Sequence, residues 1–187
     1  MLRKYFIKCY LILRKMKYSI FSNNKNISGN SNCHQPIVCN GNGCISFGEN
    51  VNFGVINSPM FYNTYAYIEA RGINSQINFG NNVFINNNFS VISEKSISIG
   101  NNVLIGYSCS INDSSFHNLE IEKRMETDPN PKAVIIGDNV FIGNSVVILK
   151  GVQIGSGCVI ATGAVVTKSF PANVIIGGVP AEIIKNL

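Results

Sequence analysis

The chain has 187 residues, 45% of them hydrophobic, and carries 15 basic and 10 acidic residues for a net charge of +5. That is the size of one ordinary domain, with enough aliphatic content for a real core. The charge is not spread evenly: residues 1–25 hold Arg3, Lys4, Lys8, Arg14, Lys15, Lys17 and Lys25 with no acid, which leaves −2 for the other 162 residues. The body is therefore not a basic nucleic-acid platform, and no RNA- or DNA-binding motif is present. Six cysteines (Cys9, Cys33, Cys39, Cys44, Cys109, Cys158) contain no Cys-x-x-Cys pair, and His34 beside Cys33 lacks a partner motif. They read as structural thiols of a reducing compartment, with no metal site expected.

In chain order, residues 2–20 read as an amphipathic helix. Leu2, Phe6, Cys9, Ile12/Leu13, Met16 and Ile20 recur at three- and four-residue steps. One reading packs this helix against the body. The other lays it on an anionic membrane surface as a peripheral contact. The apolar run Cys9–Leu13 is short and is followed at once by Arg14-Lys15, so no secretion signal is expected. No window approaches the ~20 apolar residues of a membrane span. The expected location is cytoplasmic, at the inner face of the membrane if the helix binds lipid. Three segments follow: a basic helix at 1–25, a main domain at 26–174 and a tail at 175–187.

The main domain repeats every six residues. From Ile136 the large aliphatic positions are Ile136, Ile142, Ile148, Ile154, Ile160 and Val166. Four residues after each comes a second apolar or small residue: Val140, Val146, Val152, Cys158, Ala164 and Phe170. A period of six matches neither the helix nor the simple strand, and predicts an all-β fold, a parallel β-solenoid with three hexads per triangular coil. The phase runs back through Ile99, Ile105 and Ile111, then, after a two-residue slip, through Phe79, Ile85 and Val91. Phe47 and Phe53 begin an earlier coil, and residues 59–76 keep no phase and read as an insertion or irregular coil. Asn81-Asn82 and Asn101-Asn102 suit corners that need left-handed backbone. Residues 117–134 break the repeat with a polar, Pro-containing loop, the kind of departure that commonly carries function.

The stretch Ile136-Gly-Asp-Asn-Val-Phe-Ile-Gly, then Val-Val-Ile-Leu-Lys-Gly-Val-Gln-Ile-Gly, Ala-Val-Val-Thr-Lys and Gly178-Val-Pro-Ala resembles the hexapeptide-repeat acyltransferases. Within them it is most similar to the branch of maltose and galactoside acetyltransferases and polysaccharide O-acetyltransferases. The resemblance covers about residues 45–185. It implies a left-handed parallel β-helix, a homotrimer, and acetyl-CoA lying between neighbouring solenoids. The activity implied is acetyl transfer to a hydroxyl of a sugar, in surface polysaccharide biosynthesis.

Such transfer needs a base that works near neutral pH. Asn112-Asp-Ser-Ser-Phe-His resembles the Asp-Ser-x-Phe-His stretch whose histidine is the base in polysaccharide O-acetyltransferases, which makes His117 the catalytic candidate. A backbone N–H on an adjacent coil would serve the oxyanion. Asp113 is expected either to orient His117 or bind the acceptor, or to cap a corner. Asn86 aligns with an acceptor-binding Asn, with Asn87 and Asn88 as neighbours in the alignment. The resemblance assigns Asn144, Thr162, Thr167, Lys168 and Lys185 to acetyl-CoA, the lysines facing its phosphates. Glu182 departs from the usual cation of the tail, and Phe141 replaces a common Trp.

Two other enzymes and a scaffold compete. An N-acetyltransferase for a nucleotide-linked amino sugar shares the resemblance. A γ-type carbonic anhydrase would need three histidines per site, and the chain has two. A structural solenoid would need neither the loop nor His117.

Overall fold

The computed structural model of the protein describes residues 2–187. The hexads wind into a parallel β-solenoid with three faces. The first face stacks Ile27–Ser28, Cys44–Phe47, Gln76–Phe79, Ser96–Ile99, Val134–Ile136 and Gln153–Ile154. The second stacks Ser31–Cys33, Val51–Phe53, Phe84–Ile85, Leu104–Ile105, Phe141–Ile142 and Val159–Ile160. The third stacks Ile37–Asn40, Ala66–Ala70, Ser90–Ser93, Ser110–Asn112, Val147–Ile148 and Val165–Val166. A first corner leads from first face to second, a second corner from second to third, and a third corner to the next coil.

The inward residues are the hexad aliphatics, stacked in register. Phe79, Ile99, Ile136 and Ile154 form one column. Ile85, Ile105, Ile142 and Ile160 form the second, and Val91, Ile111, Ile148 and Val166 the third. All are buried, each contributing about 1.5–3 kcal/mol of apolar transfer against the entropy of ordering the chain. Phe47, Phe53 and Phe79 close the early coils as an aromatic cluster with centroids 5.2–5.9 Å apart.

The paired asparagines build the first corner. Asn82, Asn102 and Asn139 have φ of 55°, 55° and 57°, a region Asn tolerates better than most residues. Their amides form a ladder, each donating to the next coil: Asn50 to Asn82 at 3.0 Å, Asn82 to Asn102 at 3.1 Å and Asn102 to Asn139 at 3.2 Å.

Residues 59–76 are more regular than the sequence suggests. Ala66–Ala70 and Gln76–Phe79 lie in the wall, with Ala66, Ile68 and Ala70 fully buried. Between Phe53 and Ala66 the chain leaves the repeat. Three buried polar side chains satisfy the carbonyls there, as burial requires. Asn87 donates to Pro59 at 2.8 Å, Gln35 to Met60 at 3.1 Å and Arg14 to Phe61 at 2.8 Å. The insertion is thus a fixed part of the surface.

Arg14 comes from the N-terminal helix, Leu2–Ile20. The side facing the body carries Ile7, Leu11, Arg14 and Tyr18, the less exposed residues. Tyr10 also donates to the Tyr62 carbonyl at 2.8 Å, and Tyr18 stacks on Tyr65 with centroids 4.5 Å apart. The apolar stripe therefore does not pack on the solenoid: Leu2, Phe6, Leu13, Met16 and Ile20 are all exposed. At the other end, Val174–Gly178 extends the second face beside Val159–Ile160, and Ala181–Asn186 returns antiparallel along its edge.

Candidate active site

Beyond Asn112 the chain leaves the third corner and rejoins the wall at Val134, with one short 3-10 turn at Ile121–Lys123. Two buried carboxylates fasten this loop. Asp113 accepts from Ser93 Oγ at 2.6 Å, Glu94 N at 2.8 Å and Lys95 N at 2.9 Å. It thus ties the loop's root to the preceding turn of the same corner, where the two-residue slip falls. Its oxygens are occupied within the wall, which favours the corner-capping alternative over contact with the acceptor.

Asp128 pins the middle of the loop. It accepts from Ser115 N and Asn130 N, both at 2.9 Å, and pairs with Lys150 of the next coil. Burial alone would raise the Asp128 carboxyl. The hydrogen bonds from Lys150, Ser115 and Asn130 outweigh it and hold the group well below the usual carboxylate range. Glu94 adds a third tie, accepting from Ser114 Oγ and from Thr127 Oγ1.

These ties set the direction of His117. Phe116 beside it has φ of 60°, unusual for a bulky residue and sustained only where surroundings over-determine it. Its N–H donates to Ser114 Oγ at 2.9 Å, and the Arg71 guanidinium lies 4.5 Å from its ring centroid. The His117 side chain is exposed, and its Nδ1 lies 2.8 Å from the Arg124 carbonyl oxygen. A carbonyl can only accept, so Nδ1 carries the proton, and in the neutral imidazole the lone pair is on Nε2. The partner that fixes the tautomer is therefore a backbone carbonyl of the same loop.

The second corner carries a different set. A groove of about 270 Å³ runs over it, walled by Phe84, Leu104 and Phe141, with Asn86 and Asn144 at its polar edge. Of the three consecutive asparagines, Asn87 is buried on the insertion and Asn88 donates to Ser108 Oγ at 3.0 Å. Asn86 faces the groove. Tight stacking explains the glycines at this corner: a Cβ on Gly106 would lie 2.5 Å from Asn144 Oδ1, and one on Gly143 would lie 2.6 Å from Thr162 N. Asn144 and Thr162 thus stand on successive coils of one ridge, Asn144 Oδ1 accepting from Tyr107 N at 3.1 Å.

Thr167 and Lys168 follow the last strand of the third face and are exposed. Lys168 pairs with both oxygens of Glu182 at 2.7 Å. Lys185, also exposed, lies opposite Ile175 on the edge strand. The predicted residues accordingly fall into two groups, Asp113, His117, Thr167 and Lys168 at the third corner and Asn86, Asn144 and Thr162 at the second, with Lys185 apart on the edge strand. The third face separates them within one chain.

Arg71, Glu94, Asp128 and Lys150 were not foreseen. Arg71, Glu94 and Asp128 are single charged residues outside the hexad runs and Lys150 sits at a corner within one, and only the stacking of coils brings them together. Burial pushes the Cys39 thiol up to about 12 and the Cys109 thiol up to about 11, so both are poor nucleophiles.

Residues 133–168 match the family model for the bacterial transferase hexapeptide (six repeats). Over 159 residues the chain is 33% identical to the putative lipopolysaccharide biosynthesis O-acetyl transferase WbbJ of Escherichia coli (strain K12), covering 80% of this chain and 76% of that one. It is 36% identical to the galactoside O-acetyltransferase of the same organism over 60% of this chain and 55% of that protein, so it spans about half of that relative. Among solved structures, a hexapeptide-repeat acetyltransferase of Vibrio cholerae O1 biovar eltor, complexed with acetyl coenzyme A, superposes with a TM-score of 0.58 at 28% identity, covering 94% of this chain and 77% of that one. The chain belongs to the hexapeptide-repeat transferase family.

Proposed function

We propose that this chain is an acetyl-CoA-dependent O-acetyltransferase that transfers acetyl to a hydroxyl of a sugar in surface polysaccharide biosynthesis. The observation that carries the reading is the Nδ1–H of His117 donating to the Arg124 carbonyl at 2.8 Å, which leaves Nε2 of this exposed side chain as the nitrogen for a base. The O-acetyl transferase WbbJ as a relative, similar over most of both chains, supports the choice of reaction and substrate class.

Bound acetyl-CoA would supply an activated thioester. His117 Nε2 would take the proton from the attacking sugar hydroxyl and return it to the departing thiolate. The groove would receive the pantetheine arm: Phe84, Leu104 and Phe141 would give an apolar wall, and Asn144, with Thr162 beside it on the next coil, polar contacts. Thr167, Lys168 and Lys185 would face the phosphates, and Asn86 the acceptor. Asp113 is assigned to the wall.

The solenoid is read as left-handed and as a homotrimer, with residues 1–25 as a basic N-terminal helix, 26–174 as the catalytic domain and 175–187 as a tail. The trimer accounts for the split site, because a second copy would set its groove against the His117 loop of the first. The enzyme is placed in the cytoplasm.

The test is sugar-dependent release of free CoA thiol, with the product then treated with mild alkali. The reading expects thiol release with a hydroxyl sugar and an alkali-labile product. Turnover only with amino sugars, giving an alkali-stable amide, would assign N-acetylation instead.

A further inference from the structure

We infer that the N-terminal helix is an in-plane anchor that binds the surface of an anionic lipid bilayer. The inference rests on how the helix is mounted. Arg14 is buried, its guanidinium donating to Phe61 and Thr64 carbonyls. The Tyr10 hydroxyl bond and the Tyr18–Tyr65 stack hold the same side. At 100° per residue, Ile7, Leu11, Arg14 and Tyr18 mark the side facing the body. The opposite side is Leu2, Tyr5, Phe6, Cys9, Ile12, Leu13, Met16 and Ile20, an unbroken apolar ridge. Its exposure is high: 73% at Leu2, 68% at Phe6, 64% at Leu13 and 80% at Ile20. The mounting turns this ridge outward, so it cannot fold back to cover itself.

The charges choose the occupant. Lys4, Lys8 and Lys15 lie along one flank of the ridge and Arg3 and Lys17 along the other, with no acidic residue before Glu49. Apolar centre and cationic flanks are what an interfacial helix presents to acyl chains and anionic headgroups. Pairing the ridge with the same ridge of a second copy in a two-fold dimer would set these cations against each other, and a three-fold assembly joins different surfaces and so does not pair the ridge with itself. At ~1.5 Å per residue the 19-residue helix is about 28 Å long. Among the described residues no helix is long and apolar enough to cross a membrane, which leaves the in-plane pose.

The test is co-sedimentation of the full-length protein with vesicles of phosphatidylcholine containing about a third phosphatidylglycerol, compared with phosphatidylcholine alone. The comparison is repeated in low and high salt and with Leu13→Glu/Met16→Glu. Both substituted residues are exposed, and circular dichroism and light scattering on each protein check folding and mass. The expected result is binding to anionic vesicles that falls at least tenfold in high salt, on neutral vesicles and in the double variant, with mass unchanged. No binding to anionic vesicles would overturn the inference, as would undiminished binding by the variant. A variant that loses an oligomer seen in the wild type would overturn it too, assigning the ridge to a second copy. The inference is independent of the acetyl-transfer reading.

Discussion

Glu182 holds both carboxylate oxygens 2.7 Å from the Lys168 ammonium, and both side chains are more than half exposed. An exposed pair of this kind contributes about 0–1 kcal/mol to stability. Its larger effect is on charge, since it half-neutralises the cation proposed to face the CoA phosphates. Glu182→Gln is therefore expected to lower the KM for acetyl-CoA about two- to fivefold at low salt, with the advantage fading in 0.5 M salt and Tm little changed. Steady-state kinetics at two ionic strengths check this, and a KM that rises would mean that Glu182 itself serves the donor site. Residue by residue, legibility was uneven. The position of His117 was readable because it closes a motif at a break in the repeat, while the base role remains the proposal tested below. Asp113 was readable only as a set of alternatives, among which its three accepted hydrogen bonds favour the corner cap.

Elements differ in how local their causes are. The stacked columns were visible because each hexad repeats its aliphatic, and a slip of one residue would turn it outward. The strand Ala66–Ala70 was missed because small inward residues replace large ones, and Ile68 comes 15 residues after Phe53 instead of six. What fastens the two departures, Arg14, Gln35 and Asn87 for one and Asp128 and Lys150 for the other, depends on residues from other coils and leaves no pattern in the chain. The loop that carries His117 depends on Asp128. Because its carboxyl is held below its usual value, its contribution to stability is complete above about pH 4, the unfolded value, and is lost as pH falls through the lower native one. Asp128→Asn is expected to cost about 1–3 kcal/mol at neutral pH by weakening a buried, charge-assisted network. Thermal melts from pH 7 to 3 should show the gap from wild type narrowing below about pH 4. A gap that is constant with pH would contradict the role given to the carboxylate.

The whole molecule is a three-faced solenoid whose candidate site residues stand at two of its three corners. The parallel β-solenoid was legible from period alone; the split between corners was implicit in the phase, since Asn144 and Thr162 stand 18 residues apart, but the slip after Ser93 and the loop between Asn112 and Val134 obscure it for Asn86 and His117. That split follows from the coil register: Asn86, Asn144 and Thr162 each follow a strand of the second face, and His117 and Lys168 each follow a strand of the third. It makes association of copies a requirement of the proposed function. The central claim is that His117 is the base for acetyl transfer. The most direct measurement is the turnover of His117→Ala with acetyl-CoA and a hydroxyl sugar, with acetyl-CoA affinity determined by calorimetry on the same protein. The account predicts a loss of about 10²–10⁴-fold in turnover, the range for a general base, with affinity essentially unchanged. Turnover near the wild-type rate would contradict it.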